Sequence, residues 1–253
     1  MAYTLKKSLG QHFLKDTQIC KNIQAVLSEQ PMGQLLEVGP GAGALTQFIY
    51  SIPTQSFKAI EIDKEKVTYL LQNFPYLKDK IINADILEAA IPFENEFVVV
   101  GNFPYNISTQ IVFKILEWKQ QMPMMVGMFQ KEVAERIAAT PHSKAYGILS
   151  VLTQAFYEVT YLFDVPPTAF TPPPKVMSGV IQLKRKNIFP SFASEKLFFH
   201  LVKMAFGQRR KMLRNPLKPY FSAAQLEDPI FTKRAENLTF EDFASLTFKM
   251  HMP

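Results

Sequence analysis

Between residues 34 and 139, short apolar runs alternate with amphipathic ones, and the first run ends in a glycine turn, "LLEVGPGAGALT". No other feature narrows the fold so far. The runs "QLLEVG", "FKAIEID", "KIINAD", "EFVVVGN" and "PMMVGMFQ" have the length and content of strands. Between or after them "ALTQFIYSI", "KEKVTYLLQNF", "STQIVFKILEW" and "KEVAERIAA" have helical spacing. Strands that alternate with helices predict a parallel sheet covered on both faces, an α/β fold. Further on, "YEVTYLFDV" and "VMSGVIQLKRK" flank a proline-rich connection with no helix between them, which predicts an antiparallel pair at the sheet edge. Beyond residue 186 the pattern is helical: "SEKLFFHLVKMAFG", "RRKMLRNPLKPYF", "SAAQLE" and "TFEDFASLTFKM". The expected division is a nucleotide-binding domain over 1–186 and a small all-helical domain over 187–253.

Charge divides the same way. Residues 1–185 hold 17 Lys and Arg against 16 Asp and Glu, while residues 186–253 hold 11 against 6. Most of the net charge of +6 therefore lies in the last quarter, which predicts an anionic partner, nucleic acid before membrane. No run of 18 apolar residues appears, and the N-terminal "MAYTLKKSLGQ" has no apolar core of a signal peptide. The lone Cys20 sits among Ile19, Ile23 and Val26 and is expected to be a small buried hydrophobe. With one cysteine and no Cys/His cluster, neither an internal disulfide nor a metal site is expected. A reducing compartment, the cytoplasm, follows.

Gly39 and Gly41 form the G-x-G of a nucleotide loop, where backbone approaches a ligand. Glu61 closes the next strand at the spacing of a carboxylate that binds a ribose diol. The loop alone does not separate a dinucleotide from S-adenosyl-L-methionine, because Ala44 stands where a third glycine would be and Ala is tolerated there. Asp85 ends the third strand, where it can accept from an adenine amine, though alone it is equally a helix cap. Asn102 ends the fourth. Ligands of open parallel sheets sit at such carboxyl ends, and the four together favour S-adenosyl-L-methionine.

"VVVGNFPYNIST" carries more than a turn requires. An exocyclic adenine amine is a weak nucleophile. Acceptors on both its N–H groups localise its lone pair and aim it at a methyl carbon. The Asn102 side-chain oxygen is one acceptor, and the carbonyl of Phe103, held before Pro104, is the second. Tyr105 supplies a flat face for a base drawn out of its stack. Its bland alternative is an aromatic plug.

These residues resemble the KsgA-type rRNA adenine dimethyltransferase family. "NFPYNIST" is similar to that family's Asn-Leu-Pro-Tyr motif. "KKSLGQHFLKD", "EVGPGAGALT", "AIEID", "NADIL", "SKAYGILSVL" and "AFTPPPKV" fall in the family's order over essentially the whole chain. The resemblance implies a Rossmann-like class I S-adenosyl-L-methionine-dependent methyltransferase that dimethylates the N6 of two adjacent adenosines near the 3′ end of small-subunit rRNA. It implies that His12 and Leu14 line the donor site with Gly39, Glu61, Asp85 and Asn102. It also implies that Tyr105 stacks the target base and Phe170 covers its other face, although Phe170 alone would equally pack on the sheet edge. His12 replaces a frequent Asn, Phe103 the usual Leu, and Met177 a usual acid. The implied partner is small-subunit rRNA in the 30S particle or its precursor, met by a monomer. The acid-free run with Lys203, Arg209, Arg210, Lys211, Arg214 and Lys218 is expected to bind phosphate, with Arg210 and Arg214 one helical turn apart, and Lys6 and Lys7 to add contacts. An Erm-type large-subunit methyltransferase and a non-catalytic assembly factor remain as alternatives.

Overall fold

The structure, a computed structural model, describes residues 12–251. Its elements in chain order are β1 (Phe13–Leu14), α1 (Thr17–Ser28), β2 (Gln34–Val38), α2 (Thr46–Ile49), β3 (Ser56–Ile60), α3 (Lys64–Asn73), β4 (Ile81–Ile82), β5 (Val98–Asn102) and α4 (Ser108–Glu117). They continue as β6 (Met124–Gln130), α5 (Lys131–Ala138), α6 (Ile148–Gln154), β7 (Tyr157–Val165), β8 (Phe170–Thr171), β9 (Ser178–Arg185), α7 (Glu195–Gly207), α8 (Arg214–Leu217) and α9 (Phe240–Leu246). The main sheet has the order β4-β3-β2-β5-β6-β9-β7. β4, β3, β2, β5 and β6 are parallel, and β9 runs antiparallel against β6. The expected edge pair is the neighbouring β9 and β7. β1 and β8 form a separate two-stranded antiparallel sheet, with Leu14 opposite Phe170.

Sequence patterning explains most elements. β2, β5 and β6 are buried almost throughout, as strands covered on two faces must be. α1 buries Cys20, Ile23 and Leu27 on one face, and Asp16 caps its first turn by accepting from the backbone N–H groups of Gln18 and Ile19. The chain lays β3 and β4 on one side of β2 and then returns to lay β5 and β6 on the other. The strand order therefore reverses between β2 and β5, which opens a crevice at their carboxyl ends.

The chain forms two compact units. One comprises residues up to Ala134 with Thr160–Arg185, and the other Glu135–Val159 with Lys186 onward. A division at 185/186 is thus present, but the second unit also takes residues 135–159, which patterning assigns to the first domain. In the second unit α7 buries Phe198, Leu201, Val202 and Ala205, and Phe231 and Phe243 are buried too.

Several expected elements are shorter than their patterns, and "SAAQLE" forms only a 3-10 turn at Gln225–Glu227. "ALTQFIYSI" is helical only over Thr46–Ile49, and "KIINAD" is a strand only at Ile81–Ile82. "RRKMLRNPLKPYF" is not one helix: α7 ends at Gly207, a turn follows, and α8 begins at Arg214. The cause is tertiary. Met212 bridges to Arg234 and the Leu213 N–H donates to the Lys233 carbonyl at 2.8 Å, so this backbone is paired across the unit rather than along a helix. Arg210 and Arg214 are therefore not neighbours on one helix face.

Candidate active site

From Val38 the chain turns through Gly39, Gly41 and Gly43, all with positive φ (70°, 59° and 80°). A Cβ on Gly39 would meet nothing within 4 Å, so that position is open toward a ligand. A Cβ on Gly43 would strike the ring of Phe74 and press on Leu70. Gly43 is thus required for close packing of the loop.

The loop forms one wall of a cavity of about 280 Å³ in the first unit, near the lower end of the range for small-ligand pockets (~300–1,000 Å³). His12, Leu14, Gly39, Gly41, Glu61, Asp85 and the whole segment Asn102–Tyr105 line it. Glu61 is buried just past β3. Its Oε2 accepts from the Gly41 N–H at 3.2 Å and its Oε1 from the Asp63 N–H at 3.0 Å. Asp85 does both things its position allows: its Oδ1 caps the following turn by accepting from the Leu87 N–H at 2.9 Å, and the residue also borders the cavity.

Asn102 closes β5. Its Nδ2 donates to the His12 carbonyl at 3.3 Å, which leaves Oδ1 as the acceptor atom. No hydrogen bond to the Phe103 carbonyl forms among the described residues. The Phe103 ring turns inward to a place made by two glycines. Gly101 and Gly127 face each other across β5 and β6, and a Cβ on either would collide with that ring. Phe103 also packs on Phe129 at 4.9 Å between centroids. Ser108 is the first residue of α4, and its Oγ donates to the Tyr105 carbonyl at 3.0 Å.

Tyr105 is half-buried, and its hydroxyl lies 2.6 Å from the hydroxyl of the buried Ser178. Burial pushes the phenol pKa up, and the Ser178 bond opposes that shift. The His12 ring lies 5.5 Å from the Tyr105 ring at 31°, with Nδ1 at 2.9 Å from the Pro172 carbonyl. His12 thus borders the Tyr105 ring as well as the cavity. Phe170 takes the packing alternative rather than the open face that the resemblance implies. It is 1% exposed and packed in the core, because its partnership with Leu14 in the small sheet turns both side chains inward. It offers no open face to a base in this structure.

Sequence reasoning missed four contributors. Glu37, an acid inside β2, is 1% exposed and accepts from the Thr46 hydroxyl at 2.7 Å. Burial raises its pKa to about 8; the Thr46 bond lowers it and the Glu61 charge raises it further. An acid in an otherwise apolar strand was the available signal. Ser178 and Gly127 carried none, since each touches a residue distant in the chain, Tyr105 and Phe103. Lys66 is only five residues from Glu61, but it is one of two lysines in the first turn of α3, and spacing does not tell which of them turns inward.

Of the basic residues, Lys203, Arg210, Lys211 and Arg214 are exposed on the second unit. Arg209 is engaged: its Nε donates to Glu236 at 2.8 Å and its guanidinium to the Lys144 carbonyl. Lys6 and Lys7 lie outside the described residues. Cys20 is buried, and burial pushes its thiol up to about 12, the behaviour of an inert side chain. Among the described residues no helix is long and apolar enough to cross a membrane.

The sheet order, the glycine loop and the row of strand-end residues define a Rossmann-like class I methyltransferase fold. The profile described as ribosomal RNA adenine dimethylase matches residues 2–249, and the chain belongs to that family. It is 53% identical over 249 residues to ribosomal RNA small subunit methyltransferase A of Flavobacterium johnsoniae, with 97% of this chain and 95% of that one covered. The protein of the same name from Cytophaga hutchinsonii is 50% identical over 246 residues, covering 96% and 95%. Among solved structures, a dimethyladenosine transferase from Plasmodium falciparum superposes with a TM-score of 0.78 at 25% identity, over 93% of this chain and 96% of that one. The 23S rRNA methyltransferase ErmE gives 0.73 at 23% identity, over 94% and 99%, a likeness of fold alone.

Proposed function

We propose that this protein transfers methyl groups from S-adenosyl-L-methionine to the N6 amines of two adjacent adenosines near the 3′ end of small-subunit (16S) rRNA. It acts as a monomer in the cytoplasm on the 30S particle or its precursor. Family membership supports the reaction class and the names of the relatives support the subunit. The observation that carries the reading is the Asn102–Tyr105 segment: an amide oxygen, a backbone carbonyl and an aromatic face on the rim of a cavity that suits the donor.

The residues of that cavity fit an adenosyl donor. Gly39 leaves room for close approach, and the Glu61 carboxylate suits a ribose diol. Asp85 retains Oδ2 for the adenine amine while Oδ1 serves its cap. The bound donor supplies a methyl carbon made electrophilic by its sulfonium. On the acceptor side, Asn102 Oδ1 and the Phe103 carbonyl receive the two N–H groups of the target amine and hold its lone pair in line with that carbon. Tyr105 stacks the extruded base, and Ser178 fixes the plane of the ring through the phenol. No general base is required, because the amine becomes acidic as it is alkylated and its proton passes to water. Lys203, Arg210, Lys211 and Arg214 meet the phosphate backbone.

The test is tritiated S-adenosyl-L-methionine with unmethylated small subunits, followed by mapping of the labelled nucleotides. Label on two adjacent adenosines of the small-subunit rRNA is expected. Label confined to large-subunit rRNA overturns the substrate, and absence of label overturns the activity.

A further inference from the structure

The donor cavity contains a charge that its proposed contacts leave unused. Lys66, the third residue of α3, turns its side chain into the cavity wall, where only 8% of it is exposed. Its Nζ lies 3.9 Å from Glu61 Oε2 and 5.3 Å from the centroid of the Phe13 ring. An ammonium is costly to bury, and one interaction that offsets the cost here is with the carboxylate assigned to the ribose. That carboxylate needs such a partner. It is itself buried, 3% exposed. Two backbone N–H groups, from Gly41 and Asp63, take one lone pair on each Glu61 oxygen. One site per oxygen remains for the two ribose hydroxyls, provided that the group does not rotate.

We propose that Lys66 is a positioning residue of the donor site, which holds the Glu61 carboxylate in the orientation in which both its oxygens accept from the ribose. The proposal rests on the donor reading above. Lys66 acts through Glu61 and not on the transferred methyl, so its loss weakens the methylated donor and the demethylated product alike. A guanidinium reaches the same carboxylate, so Arg restores the function.

The experiment is titration calorimetry of S-adenosyl-L-methionine and S-adenosyl-L-homocysteine with the full chain and the variants Lys66→Met, Lys66→Arg, Glu61→Gln and Lys66→Met/Glu61→Gln. Lys66→Met should weaken both ligands by at least about tenfold, and Lys66→Arg should stay within about threefold of wild type. In the Glu61→Gln background Lys66→Met should add less than about twofold, because its target is already gone. Lys66→Gln reads the same quantity if the Met variant does not fold. Wild-type affinity in Lys66→Met, or an equal loss in both backgrounds, overturns the proposal. Failure of the wild-type chain to bind either ligand overturns the donor reading itself, and this proposal with it.

Discussion

At the scale of single residues, hydrogen-bond direction decides chemistry. The Asn102 amide has its nitrogen tied to the His12 carbonyl, so its oxygen is the group presented. Asn102→Ala should therefore fold and bind RNA almost normally yet lose on the order of 10²–10³ in the rate of methyl transfer. Single-turnover rates at saturating donor and RNA measure this, and a wild-type rate would make "NFPY" merely a turn. Glu37 offers a pH test. Its folded pKa, near 8, lies above the usual carboxylate value of 4.5, so the folded state holds a proton that the unfolded state has released across that window. Stability from this group is present at low pH and is lost as pH rises through about 8. Melting temperatures of wild type and Glu37→Gln between pH 5 and 9 check the sign. Gln keeps the Thr46 bond without the proton, so wild type should lose stability relative to it as pH rises, and parallel curves would mean that Glu37 is ionised throughout.

At the scale of elements, the segment after β5 is shaped by its neighbour in the sheet. Phe103 can fold back only because Gly101 and Gly127 are paired across β5 and β6. Gly127→Ala places a methyl in that ring's space and should cost about 1–3 kcal/mol of stability by overpacking. Because Phe103 carries the proposed acceptor carbonyl, methyl transfer should fall by more than the stability loss explains. Denaturant midpoints and single-turnover rates on the same samples separate the two, and a stable variant with full activity would remove the glycine pair from the account. Ser178 acts similarly from the start of β9, where a buried hydroxyl fixes the Tyr105 phenol.

At the scale of the molecule, charge is divided between the units, and the free part of it is smaller than the sequence total. Arg209 is bound to Glu236 and to the Lys144 carbonyl, while Arg210, Lys211 and Arg214 are exposed. Reversing those three to Glu should weaken RNA binding and lower the slope of log affinity against log salt by about 0.9 per lost phosphate contact on duplex. Arg209→Ala should instead lower stability, with a smaller effect on the slope. Filter binding across a salt series distinguishes them, and an unchanged slope in the triple variant would place the RNA elsewhere.

Period and punctuation determined much of this protein before any tertiary contact. Apolar runs of strand length, alternating with helical spacing, specify a covered parallel sheet, because a strand buried on both faces must be apolar throughout. The residues Gly39, Glu61, Asp85 and Asn102 were legible because each stands at the end of a run, and strand ends in such a sheet share one rim. The tertiary structure alone decided where the pattern is overridden. Patterning made "RRKMLRNPLKPYF" a helix, but its backbone pairs with Lys233 and Arg234. Residues 135–159 read as part of the sheet domain but pack with the second unit. For Phe170, given by the resemblance as a cover for the target base and by its surroundings equally as packing, the structure shows a buried side chain opposite Leu14. Gly127 and Ser178 were silent because their partners, Phe103 and Tyr105, become neighbours only after folding, and Lys66, although five residues from Glu61, because packing decides which lysine of its helix turns inward. Local spacing records the backbone's own preferences, whereas long-range pairing depends on which surfaces the finished sheet brings face to face.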